Sequence, residues 1–203
     1  MRKLIIIILG VILFTGCKSF EPKLLNPTAQ PLENKLPAVE NTVENDLTTM
    51  IVVDQTVGRL GPNTQDIKTL FDRQVTEVIT NPYGIKKGSL VLKVTTIESR
   101  FNGLISAAWC TVLAGVPFLL GAPYLWAESK VEVKLEVLDN NRALIGAYRG
   151  SGENRLKSGL YYTKYNRNTL QRVTYVEATK QAINEATKKL EEDVDRLNEE
   201  LSK

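Results

Sequence analysis

Two cysteines and a run of cations interleaved with tyrosines are the side chains of this 203-residue chain whose type and spacing point to chemistry. Cys17 closes the stretch Leu13-Phe14-Thr15-Gly16-Cys17, behind a basic start at Arg2 and Lys3 and an uncharged apolar segment from Leu4 to Phe14. Two small residues before a cysteine at the end of such a segment form a secretory signal layout. Cys110 lies in apolar sequence whose nearest upstream cation is Arg100. It reads as a small buried apolar residue, since a reactive thiol wants an electropositive neighbour. The chain has no histidine, which removes the usual zinc ligand, the usual general base and every Ser-His or Cys-His arrangement. Asp54 and Glu98 are carboxylates that an envelope hydrolase could use, but no spacing pairs them. P-loop, dinucleotide-binding and EF-hand patterns are absent, so no catalytic residue, no metal and no cofactor are expected.

The stretch from Leu13 to Cys17 resembles the lipobox of bacterial lipoproteins, with Phe14 where leucine is usual. The resemblance implies that residues 1–16 are a lipoprotein signal peptide and that Cys17, carrying lipid, opens the mature chain. The expected partner is therefore a membrane, reached through lipid on Cys17, in the bacterial cell envelope. Lys18 in place of the aspartate familiar as an inner-membrane retention signal points to the outer membrane, facing the periplasm. The apolar run of 11 residues is short of the roughly 20 that a spanning helix needs. Loss of Arg2 and Lys3 lowers the formal charge from +3 to +1, so the basic isoelectric point of the whole chain says little about partners. With Cys17 lipidated, Cys110 has no disulfide partner within the chain, and stability has to come from packing.

Residues 17–46 hold Pro22, Pro27, Pro31 and Pro37 among polar residues. They read as a flexible tether, or else as an arm docked through Leu24, Leu25, Leu32 and Leu36. Residues 47–203 read as a single α+β domain. A first strand is expected at Thr49–Asp54 and a helix from Asn63 or Thr64 to Ile79, with Ile67, Leu70, Phe71, Val75 and Val78 at helical spacing. Strands come next at Ser89–Glu98 and around Val131–Val137, where apolar and charged residues alternate. Asp139–Arg142 predicts a tight turn, with its partner strand from Ala143 to a stop at Gly150-Ser151-Gly152. The spacing predicts a last amphipathic helix over Thr174–Leu201, its acidic end projecting or frayed.

This order predicts a small mixed or antiparallel sheet of about four strands with two helices on one face, plus an apolar insertion. Across residues 49–200 it resembles, in element order, the periplasmic domain of the curli secretion channel lipoprotein and related envelope-assembly lipoproteins, a resemblance that carries over no residue roles. Two stretches remain as candidate contact sites. The apolar insertion 103–126 has no charged side chain and offers Trp109, Phe118, Leu119, Leu120, Tyr124 and Trp126 to a membrane or partner. It reads as buried core, as a hairpin entering a lipid leaflet or packing in a ring of copies, or as a docking surface or pocket. The basic run with Arg155, Lys157, Lys164 and Arg167 beside Tyr161, Tyr162 and Tyr165 suits anionic ligands, or else is a solvated connection. An exported protein would meet lipid or envelope phosphates there and no nucleic acid. The expected role is non-catalytic binding, assembly or transport support with an envelope protein or a second copy; the rivals are a lipid or hydrophobic-ligand carrier and, further off, the hydrolase.

Overall fold

The structure, a computed structural model, describes residues 18–44, 49–52, 64–102 and 116–202. In chain order its elements are β1 (Glu40–Glu44), β2 (Thr49–Val52), α1 (Thr64–Gln74) prolonged by a π-helical turn at Val75–Ile79, and β3 (Ser89–Asn102). The short α2 (Val116–Leu119) comes next, then β4 (Leu125–Leu138), β5 (Leu144–Ser158), α3 (Arg167–Glu192) and α4 (Val194–Ser202). The fold is α+β with an open, mixed five-stranded sheet. β3, β4 and β5 are antiparallel, while β1 and β2 lie one after the other along the free side of β3, parallel to it.

Alternation along β4 puts Val131, Val133, Leu135 and Val137 on one face, where all four are buried. On β3 the phase changes. Leu90, Leu92 and Val94 face the core, and an irregularity between Val94 and Thr96 re-phases the strand so that Ile97 pairs with Val131 and Phe101 with Ala127. An extra residue in one strand flips the remainder of that strand to the opposite parity. It turns Glu98 and Arg100 to the open face and Phe101 to the helix side.

β5 runs to Ser158, eight residues past the predicted stop at Gly150. Gly150 and Gly152 do not end the hairpin; they let α3 approach. A Cβ on Gly150 would lie 2.0 Å from the carbonyl oxygen of Ala182, and one on Gly152 2.0 Å from that of Ala178. Glycine in a strand interior often marks such a close backbone approach. α3 also begins earlier than predicted, at Arg167, because the Asn166 side chain accepts a hydrogen bond from the Thr169 amide at 2.8 Å, a strong N-cap. Its break at Asp193 starts α4, which is not frayed: Val194, Leu197 and Leu201 are buried, and apolar packing outweighs its acidic charge.

The described part of the tether is a correction. Residues 18–44 are a strap on the domain, as the docked-arm alternative had it. After a 3-10 turn at Pro22–Leu25, Leu25, Leu32, Leu36, Ala38 and Val39 are buried and Leu24 is half-buried. The Leu32 and Leu36 amides donate to the carbonyls of Val78 and Ile79, and Asn81 donates back to Leu36. Prolines keep this segment extended but do not stop leucines at irregular spacing from filling one groove. The strap starts at Lys18, which bridges to Tyr165, and ends where Glu40 pairs with Ser89. It therefore runs the length of the sheet, from the end that carries Ser158 and Asn102 to the end that carries the β4–β5 turn.

Candidate membrane-facing pole

The chain crossings gather at the first of those ends. Asn102 pairs with Trp126, Trp126 with Lys157 and Leu125 with Ser158, so both predicted contact stretches share one pole of the domain. Ser158 is its hub. Only 2% exposed, its hydroxyl donates to the Tyr165 carbonyl and accepts from the Tyr165 amide, both at 3.0 Å, while its own carbonyl takes the Tyr124 amide at 2.8 Å. The Lys18 amide donates to the Lys164 carbonyl at 2.6 Å. The described chain stops at Asn102 and resumes at Val116, and both of these residues are on this pole.

Local sequence explains the tip. Pro117 sits inside the start of α2 and Gly121, at φ 97°, just past its end, the usual asymmetry of a short helix. Phe118 stands edge-on to Tyr124 with ring centroids 4.6 Å apart, and burial pushes the Tyr124 hydroxyl pKa up. Leu120 beyond it is 82% exposed. Of the seven large hydrophobic side chains exposed among the described residues, four are here: Val116, Leu120, Tyr161 and Tyr162. The other three, Tyr83, Ile85 and Leu144, flank the opposite end.

Three cations of this pole lie on rings, while Lys18 is paired with Glu21 at 2.8 Å. The Arg155 guanidinium is 4.7 Å from the Trp126 ring centre, that of Arg167 4.6 Å from Phe101, and the Lys157 ammonium 6.0 Å from Tyr162. Elsewhere on the open face the lysines lie on carboxylates. Lys93 and Lys134 meet Glu136 at 3.1 and 2.7 Å, and Lys130 meets Glu153 at 3.2 Å. Burial works against the charge on Glu136, but its hydrogen bonds from Lys134 and Lys93 prevail and hold its pKa down. Deeper in, Arg172 is held by Asp66 through two bonds of 2.6 and 2.7 Å and caps the Phe20 ring at 3.8 Å. That fastens strap, α1 and α3 together just behind the pole.

The predicted site residues divide plainly. Phe118, Leu120, Tyr124 and Trp126 come together with Arg155, Lys157, Tyr161, Tyr162, Lys164, Tyr165 and Arg167. Leu119 is in α2 by its backbone. Cys17, Trp109, Cys110 and Asp54 lie outside the described residues. The insertion reading narrows, because Leu125 and Trp126 belong to β4, and the basic connection is shorter than expected, because Arg155 and Lys157 are on β5 and Arg167 on α3. Glu98 sits on the open face in register with Lys130. Among the described residues no group of three or more acids or cysteines is placed to hold a metal, and no helix is long and apolar enough to cross a membrane. Sequence reasoning missed Phe101, Phe20 and Ser158. The bulge that turns Phe101 inward leaves no local signal, whereas Phe20, three residues after Cys17, was visible. No family model matches the chain, and no curated protein matches it either.

Proposed function

We propose that this protein is a lipid-anchored component of the bacterial cell envelope, held by acyl groups on Cys17. Its domain would act in non-catalytic binding, assembly or transport support, on the outer membrane facing the periplasm. The observation that carries this reading is the convergence at one pole. Lys18, directly after Cys17, is bonded to Lys164 there, beside the exposed Leu120 and Tyr161. With the strap bound along the domain, an anchor at Cys17 holds this pole against the membrane. β4, at 14 residues and about 3.3 Å each, would carry the β4–β5 turn some 45 Å away from it. A partner protein or second copy would then meet the domain at its sides or far end.

A carrier of hydrophobic ligands finds less support among the described residues. A cavity of about 410 Å³ at mid-sheet is lined by Glu132, Lys134, Arg149, Glu185 and Lys189, and ligand pockets are mostly apolar. The test is metabolic labelling with a clickable palmitate analogue, followed by membrane fractionation, for the wild-type chain and Cys17→Ser. Wild type should label and sediment with membranes, and Cys17→Ser should lose the label. Equal labelling of the two would overturn the anchor.

A further inference from the structure

We infer that this pole is a docking surface for anionic lipid headgroups, so that the domain lies on a phosphate-rich leaflet and does not merely hang from its anchor. The inference deepens the anchored reading above and rests on it for which end meets the membrane. Its independent ground is how the cations are paired. Arg155 stands directly across from Glu128 in the strand register, yet its guanidinium lies over Trp126. Arg167 covers Phe101. Lys157 reaches over Tyr162. None of these three forms an ion pair among the described residues, while the cations of the open face at Lys93, Lys130 and Lys134 all do.

A ring face attracts a cation without consuming its N–H donors. Stacked arginines therefore keep hydrogen bonds for phosphate oxygens, which guanidinium groups take in pairs. The order of chemistry along the pole suits a bilayer surface. Leu120 and Val116 are apolar and exposed, Trp126, Tyr161 and Tyr162 are ring systems with one polar edge, suited to the interface, and Arg155 and Lys157 are exposed on the adjoining strand end. Between Glu153 and Glu177 the sequence has no acid, and Glu21 near the pole is taken up by Lys18, which leaves Arg155, Lys157 and Arg167 to complement a negative leaflet. A soluble phosphate ligand would call for an enclosing cavity, and these residues spread over a strand end and the loop that follows it.

The experiment uses residues 18–203, which hold the hydrophobic core of the described residues, from Leu25 to Leu201, and which lack the lipid. Vesicles of neutral phosphatidylcholine, alone or with phosphatidylglycerol added, are floated with this chain, with Arg155→Gln/Lys157→Gln, and with Lys86→Gln/Lys188→Gln. The last removes two exposed charges away from the pole. Circular dichroism melts check that each variant folds. We expect binding to the anionic vesicles that weakens with added salt. The pole variant should bind them about 20- to 30-fold more weakly, at roughly fivefold per basic residue, and the control within about twofold. Equal binding to both vesicle types would overturn the headgroup inference and leave an apolar membrane contact standing. Equal losses in the two double variants would overturn the assignment to this pole. Binding to neither vesicle would overturn docking altogether, while palmitate labelling of Cys17 would still report the anchor separately.

Discussion

Replacing Leu36 by alanine separates a strap from a tether. The Leu36 side chain is 0% exposed among Ile79, Leu90 and the rest of the core, and its backbone is held on both sides by Ile79 and Asn81. Alanine keeps those backbone bonds and removes three buried carbons, worth about 2.4 kcal/mol at 0.8 kcal/mol each. The cavity left behind adds to this, bringing the expected loss to about 3 kcal/mol, within the usual range for buried Leu→Ala changes. With a urea dependence of about 2 kcal/mol per molar for a domain of this size, the midpoint should fall by about 1.5 M. The assay is urea unfolding followed by circular dichroism on residues 18–203, with the exposed Glu33→Ala as the control. A side chain on a loose tether would change stability by no more than about 0.5 kcal/mol. A midpoint shift below about 0.3 M would therefore refute the strap and with it the seating of the pole.

Two further outcomes come from the packing and the charges. Gly152→Ala should destabilise by about 2–3 kcal/mol, the upper part of the overpacking range, because the carbonyl of Ala178 is backbone and cannot turn aside; a urea midpoint within about 0.3 M of wild type would refute close helix–strand contact. Glu185 is held down to about 2 from 4.5 by the Lys189 ammonium and by the amide and hydroxyl of Ser151. A depressed carboxyl contributes stability above its unfolded pKa and loses it as pH falls through its folded one. Wild type should therefore exceed Glu185→Gln at pH 5 by somewhat under 1 kcal/mol, since the pair is solvent-screened, and the gap should close toward pH 2; a gap that widened on acidification would refute the assignment.

Much of the scaffold was legible locally. The alternation at Val131–Val137, the helical spacing from Ile67 to Val78 and the turn at Asp139–Arg142 each encode a period or a required φ within a few residues, and the strands, α1 and the hairpin appear there. Arg142, at φ 62°, is the positive-φ residue of that turn. Errors fell where the meaning of a residue depended on something distant. Glycines at 150 and 152 look like a stop until a helix is placed against them. Proline-spaced leucines look like a tether until a groove is present to take Leu32 and Leu36.

By itself the sequence determined the α+β class and the apolar face of the sheet, because hydrophobic period is written along the chain. Only the tertiary structure decided that Lys18, the ends of the apolar insertion and the ring-bound cations meet at one pole. That meeting depends on strand register, on the bulge at Val94–Thr96 and on the loop before α3 that bonds Ser158 through Tyr165, contacts between residues up to about 150 positions apart. No local pattern can encode such a contact, since its free energy exists only when both partners are in place.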